Sequence, residues 1–390
     1  MVQLRAQAPR FATALGTTEL EIGGGVLAGV TAIKTYTNAT FSTQNGSEDG
    51  NEQVNNARAV ITQTFKGGAQ IKAAVTGNNV MYDEKLNTAA ASHYRQDLIS
   101  AGVESNVLVG SRTLVSAGVV LDKAVSLSAG GKTPLPSKSL TGFRLGATHQ
   151  LNNGTRLHAS ASKRGRFPAL RELYSGALNR FEPNPDLRPE NLLAAEAGIS
   201  FGDATAPEGL TAQFIGFHHW LDDGIVRTNF GTTNRFIRIN RDETRTAGVE
   251  ALLGWQGGIA GPSITLDLVA QTVNIRDITA GGAERKPEHM PSVRAMLDGT
   301  VPVAAGVVLG ANLAHIGNQY CVNPNSGNDD LLKAQTIGGL TAHRSFAMAA
   351  GGFHSIRVLA GLDNVTNVAV YEQCGLPRAG RTLRVGFDLR

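Results

Sequence analysis

Polar and apolar residues alternate with a period of two in stretch after stretch of this chain, and the stretches are joined alternately by very short and by long connections. In the last stretch Leu383, Val385, Phe387 and Leu389 alternate with Thr382, Arg384, Gly386, Asp388 and Arg390. Ile356, Val358, Ala360 and Leu362 oppose Arg357, Gly361 and Asp363, and Ile264, Leu266 and Leu268 oppose Thr265, Asp267 and Gln271. Phe143, Leu145 and Ala147 oppose Arg144, Thr148 and Gln150, and Leu157, Ala159 and Ala161 oppose Arg156, His158, Ser160 and Ser162. Side chains on a strand point to opposite faces in turn, so each stretch reads as a strand with one apolar and one polar face. About 16–17 such strands, most of ten or more residues, cover the chain from about residue 3 to residue 390.

The connections narrow the fold further. Short turns fall at Gly67-Gly68, Asn152-Asn153-Gly154, 257–262, 302–305 and Ala350-Gly351-Gly352. Asn-Gly and Gly-Gly supply the positive φ that tight hairpins need. Long polar connections fall at 42–56, 83–91, 126–139, 168–189, 278–288 and 321–333. Tight turns at one end and long loops at the other are what an antiparallel transmembrane β-barrel requires. The competing fold is a soluble multi-sheet protein with half-exposed strands.

Composition agrees with an all-β chain. Charged residues are 17% and Gly numbers 46. No run approaches 18 apolar residues, so no transmembrane helix is expected, which leaves barrel strands open. The first ten residues lack an apolar h-region, so no signal peptide is expected. A net charge of +4, dispersed along the chain, gives no argument for nucleic acid. No zinc spacing, P-loop or haem-attachment motif is present, and no Gly-x-Ser-x-Gly or His-Glu-x-x-His, so neither a cofactor nor catalytic residues are expected. His218-His219 beside Trp220 reads as barrel wall or interfacial belt rather than a metal site.

Four stretches carry a family resemblance. Ser162–Gly176 ends a strand in Arg, then has Pro and then Glu-Leu-Tyr. Asn184-Pro185-Asp186-Leu187-Arg188-Pro189-Glu190 follows, with Glu196 beyond it. Ala247-Gly248-Val249-Glu250 enters a strand, and Leu362 to Arg390 holds Leu-Asp-Asn-Val-Thr-Asn, Gly-Leu-Pro-Arg-Ala-Gly-Arg and a closing strand. In order and spacing they resemble the C-terminal barrel of TonB-dependent outer-membrane receptors. Residues 1–140 match only in strand rhythm. The resemblance implies a 22-stranded barrel, of which this chain would hold the part from the sixth strand on, as a single barrel domain over 1–390 with no plug domain and no TonB-binding box. It also ends on Asp388-Leu389-Arg390, where an aromatic residue is usual in the family.

The function implied is TonB-energised uptake of a scarce, large solute, most often a ferric siderophore, across the outer membrane of a Gram-negative bacterium. Outer-membrane lipid, the TonB complex and an anionic ferric chelate are the expected partners. Residues 163–190 and 225–246 are both net positive and both fall on the extracellular side in this topology. Arg164, Arg166, Arg171, Arg180, Arg235 and Arg238 are therefore candidate ligand contacts, because guanidinium groups bind anionic oxygens bidentately. Lipopolysaccharide phosphates and structural Arg–carboxylate pairs are the competing uses. No His lies between Phe167 and His218, which disfavours haem. Cys321 and Cys374, the only cysteines, both land on the extracellular side, and the periplasm is oxidising. A disulfide bracing two outer loops is expected, against two free thiols.

Three alternatives remain at this level: a plug-less passive pore, an inactive receptor fragment, and a soluble β-rich adhesin or polysaccharide-binding protein. Pairing of the first strand (about 3–15) with the last (379–390) would permit a pore. An apolar girdle would exclude the soluble protein.

Overall fold

The structure, a computed structural model, describes residues 2–389 except 204, 205, 207, 232–234, 324–327, 351 and 352. One antiparallel sheet winds through the whole chain. β1 (Val2–Gln7) and β2 (Phe11–Thr13) both pair with β3 (Gly16–Tyr36), so they are two pieces of one wall strand. β4 (Gln44–Phe65), β5 (Gln70–Leu86), β6 (Ser92–Val109), β7 (Thr113–Ala129), β8 (Lys138–Asn152) and β9 (Thr155–Arg166) follow, each paired with the one before.

Two short helices, α1 (Leu170–Tyr174) and α2 (Ala177–Arg180), and the fragment β10 (Phe181–Glu182) then interrupt the wall. It resumes with β11 (Glu190–Phe201), β12 (Glu208–Asn229), β13 (Phe236–Gly257) and β14 (Ser263–Asp277). Beyond β15 (Ala283–Arg285), which pairs only with the end of β14, come β16 (Val293–Pro302) and β17 (Val307–Ile316). A side hairpin, β18 (Gln319–Val322) and β19 (Asp329–Leu332), precedes β20 (Gln335–Ala350) and β21 (Phe353–Asp363). A second small hairpin, β22 (Tyr371–Gln373) and β23 (Leu376–Pro377), precedes β24 (Thr382–Leu389), which pairs with β21.

The sheet holds 20 strands; with β1 and β2 merged and the short β10 and β15 set aside, 17 wall strands remain. Among the described residues the outer edges of β1–β2 and of β24 carry no strand partner, so the first and last strands do not pair.

Register explains why the alternation was visible. Leu20, Ile61, Ala73, Val103, Val119 and Phe143 are successive cross-strand partners, an apolar row over six strands. One residue away, Glu19, Thr62, Lys72, Glu104, Gly118, Arg144 and Ser162 form a polar row. The apolar face is open to its surroundings: Val119 is 65% exposed and Val385 76%. An outward apolar face of this kind suits lipid, not water.

Several expected loops are shorter than the sequence suggested. Residues 44–56, expected in the loop 42–56, are strand: they stay hydrogen-bonded to β3, and β4 runs for 22 residues. A membrane crossing needs only about 9–11 residues. Beyond that band neither face meets lipid, so the alternation fades while the backbone ladder continues. For the same reason 83–91 shrinks to a connection between Leu86 and Ser92. The loop 278–288 contains a 3-10 turn, Ile278–Ala280, and β15. Residues 321–333 contain most of the β18–β19 hairpin. The strand that carries the alternation of Ile356 to Leu362 stops at Asp363, and Asn364 and Asn367 beyond it take left-handed φ of 49° and 55°. Of the short turns, that at 350–352 includes Gly351 and Gly352, which lie outside the described residues.

Candidate functional site at the mouth

The long connection 167–189 does not stand away from the barrel end. It folds back over the polar face as a strap. Pro168 is buried at its start, and the Glu172 carboxylate accepts the Ala169 N–H at 2.8 Å, which fixes the first turn of α1. Leu170, Leu173 and Tyr174 lie at helical spacing and are buried against Tyr82 of β5 and Tyr94 of β6. The rings of Tyr82, Tyr94 and Tyr174 stack in a row, with centroids 6.2 and 6.1 Å apart. Gly50 makes room for this: a Cβ there would sit 2.7 Å from the Tyr82 hydroxyl.

Two buried carboxylates fasten this side. Glu48 is 0% exposed; it accepts from the Tyr82 hydroxyl at 3.0 Å and from the Arg171 guanidinium, which also lies over the Tyr82 ring at 4.9 Å. Glu84 is 2% exposed and accepts from the Ser175 hydroxyl and, at 3.4 Å, from the Tyr94 hydroxyl. Glu84 lies nine residues beyond Val75, the last strongly exposed apolar side chain of β5, so about 30 Å along the strand and clear of the lipid band. Burial pushes its carboxyl above the usual carboxylate range, and the Ser175 hydrogen bond only partly offsets that.

The other side of the strap is tied to β12 and β13. β10 pairs in parallel with β13, Phe181 opposite Phe236. Arg235 donates to the Phe181 carbonyl at 2.9 Å and pairs with Glu182 at 2.8 Å. Asn184 donates to the Arg238 carbonyl at 2.7 Å. Arg188 pairs with Asp223 at 2.5 Å, and its N–H donates to Asn240 at 2.7 Å. Lys138 of β8 donates to the Leu187 carbonyl at 2.7 Å. The strap thus ties strands β4–β6 to strands β12–β13, which stand far apart in the order of the wall.

The six candidate arginines divide. Arg166 pairs with Glu190 at 2.5 Å and with Glu172 at 2.8 Å; Arg171 and Arg235 are held as described. Arg164 has no carboxylate partner among the described residues and lines a cleft on the polar face with Arg58, Lys72, Glu104 and Arg144. Arg180 lies over the Phe236 ring at 5.5 Å. Arg238 lies over Phe181 at 4.2 Å and donates to the Arg171 carbonyl at 3.4 Å. Arg227 belongs to the net-positive segment 225–246 but not to the six candidates, yet it stands directly opposite Arg238 and lies 4.5 Å over Phe236. The signal for it was its strand pairing, which the local sequence does not print.

His218 stacks on Trp220 at 4.0 Å, while His219 turns to the other face and meets Glu196 at 3.3 Å. Among the described residues no group of three or more His, Cys, Asp or Glu could hold a metal ion, and no helix is long and apolar enough to cross a membrane. Cys321 and Cys374 are joined as a disulfide with Cα atoms 5.8 Å apart, linking the β18–β19 hairpin to the β22–β23 hairpin.

Residues 7–365 match the family described as "TonB dependent receptor-like, beta-barrel". The chain belongs to this family. TonB-dependent receptors are outer-membrane receptors and transporters, and the polar face is the lumenal face of their barrel. The receptor barrel is similar to solved structures at low identity, which speaks to its fold. The copper transporter OprC superposes with a TM-score of 0.76 at 14% identity, covering 99% of this chain and 64% of OprC. BauA, the ferric preacinetobactin receptor of Acinetobacter baumannii, gives 0.71 at 15% identity, covering 99% and 62%. The ferripyoverdine receptor of Pseudomonas aeruginosa gives 0.70 at 12%, covering 99% and 55%. The receptor barrel therefore spans less than two thirds of the length of these structures. No curated protein sequence matches it significantly.

Proposed function

We propose that this barrel serves TonB-energised uptake of a scarce solute across the outer membrane of a Gram-negative bacterium, and that the solute is a ferric siderophore or a similar anionic chelate. The observation that carries this reading is the arginine-rich strap lying across the lumenal face at the long-loop end, where a solute from outside first arrives. Of the candidate contacts, Arg166, Arg171 and Arg235 are engaged in holding the strap. Cargo contact therefore falls to Arg164, Arg180 and Arg238, with the others placing them. The ferric-siderophore receptors among the similar folds support an iron cargo, and OprC keeps a metal cargo of another kind in view. The Cys321–Cys374 disulfide braces two outer loops beside that entrance. In the family the TonB complex supplies the energy. A passive pore built by this chain alone would need β1–β2 to pair with β24, and among the described residues they do not.

The test is quenching of Trp220 and Trp255 fluorescence in the detergent-solubilised protein as hydroxamate, catecholate and carboxylate ferric chelates are titrated in. At least one chelate is expected to quench saturably. Failure of every chelate to bind would sink the reading.

A further inference from the structure

At the strap–wall junction, among the described residues, three arginines have no carboxylate in ion-pair contact. Arg227 and Arg238 are direct cross-strand partners, an arrangement of like charges that costs stability. Phe181 and Phe236 are likewise opposite each other, with ring centroids 5.7 Å apart. Side chains on paired positions share a face, so the two arginines and the two rings form one platform on β12, β13 and β10. Arg227 and Arg180 both lie over the Phe236 ring, and Arg238 lies over Phe181. Among the described residues none of these three guanidinium groups has a carboxylate within ion-pair distance, whereas Arg166, Arg171, Arg188, Arg235 and Arg245 nearby all do.

The platform faces the strap. Arg238 donates to the Arg171 carbonyl, and Asn240, two residues on and so on the same face, donates to the Arg188 carbonyl at 2.9 Å. Arg238 is the third residue of β13, at its mouth end; it precedes the exposed Val249 by about 35 Å of strand and so lies outside the lipid band. Burial holds its guanidinium below the ordinary arginine range; the Glu172 carboxylate pulls the other way, and the neighbouring cations Arg171 and Arg227 add to the lowering. Cations gathered on apolar rings at a mouth, with no carboxylate in ion-pair contact among the described residues, form an arrangement that a bound anion stabilises.

We propose that Arg180, Arg227 and Arg238, seated on Phe181 and Phe236, form an oxyanion-binding site between strap and wall, which takes a phosphate or carboxylate group carried by a soluble solute. The site deepens the receptor reading, since it names the group by which a cargo would be held, and it rests on that reading only for its biological use. Because Arg180 belongs to the strap and Arg227 and Arg238 to the wall, the anion bridges the two.

The experiment is calorimetric titration of the detergent-solubilised 390-residue protein with inorganic phosphate and with citrate, beside a parallel titration with lipid A micelles. Saturable binding of phosphate or citrate is expected, weakened about tenfold or more in R227Q, as for loss of one charged hydrogen-bond donor. R227K, which keeps the charge but not the fork, is expected to fall between. Arg227 sits on the exposed side of the platform, and unchanged strap protection in hydrogen exchange shows that each variant is folded. Binding that R227Q and R238Q leave unchanged overturns the site, as does absence of phosphate and citrate binding. Binding of lipid A alone overturns the soluble source. Phosphate binding with no ferric-chelate binding keeps the site and removes the iron cargo, so the two readings fail separately.

Discussion

At the scale of single residues the strap is held by carboxylates that water does not reach. Glu48 is the sharper case, since it answers both Arg171 and the Tyr82 hydroxyl. Glu48→Gln leaves the shape but removes the charge. It is expected to loosen α1 by about 2 kcal/mol, the usual worth of a hydrogen bond to a charged group, read as faster hydrogen exchange at residues 170–174. Unchanged exchange there would show that the tyrosine stack alone holds the helix. Glu84 gives a pH dependence. Its folded carboxyl is raised by burial, so the folded protein holds more protons than the unfolded one between the ordinary carboxylate range and the raised value. Strap stability from this group is therefore fully present below the ordinary carboxylate range and falls as pH rises through the raised value. Hydrogen exchange at residues 173–177 followed from pH 4 upward should show that decline, and Glu84→Gln should flatten it.

At the scale of elements the two hairpins beside the mouth depend on one cross-link. The Cys321–Cys374 bond closes a sequence separation of 53. Its removal in C321S/C374S is expected to cost about 2–4 kcal/mol, seen as a lower melting temperature and as new protease cuts within 317–334 and 364–381. A melting temperature insensitive to reductant would show that the hairpins hold without it. The sequence made the wall strands legible because a wall with lipid on one side must alternate, as Leu157, Ala159 and Ala161 do. It did not show that β4 begins as early as Gln44, because Ser47 to Asn56 lie beyond the lipid band, where the inner face meets the strap at Glu48 and no face needs to be apolar. Nor did it show α1, since five residues between Pro168 and Gly176 carry too little periodicity to separate a helical turn from a loop.

At the scale of the whole molecule one face must meet lipid and the other must not. Val119→Lys places a charge in the apolar row and is expected to weaken insertion into lipid vesicles by about 2–4 kcal/mol near the bilayer midplane. Gly118 and Glu104 stand one pleat away on the polar row, and Glu104→Gln should leave insertion unchanged. Equal effects from both would mean that the faces are wrongly assigned. The division of the arginines was the part least open to reading. Arg171 and Glu48 are separated by 123 positions, and nothing in either neighbourhood announces the other. That Arg166, Arg171 and Arg235 are bound to carboxylates while, among the described residues, Arg180, Arg227 and Arg238 are not is a property of the strand register and the strap, not of local composition.

The strap also imposes an order of events on folding. Its anchors on β4–β6 precede it in the chain, but Asp223, Arg235, Arg238 and Asn240 follow it by some 35 to 70 positions. Until β12 and β13 have joined the wall, α1 can find Tyr82 and Tyr94 but the far half of the strap has nothing to grip. Long-range contacts of this kind are made late because the intervening chain must first be ordered. Protection of residues 181–188 should accordingly lag behind that of β4–β6 in a pulse-labelled refolding experiment. A chain stalled before β13 would expose the strap to proteases, so cleavage there would mark barrels whose assembly is unfinished.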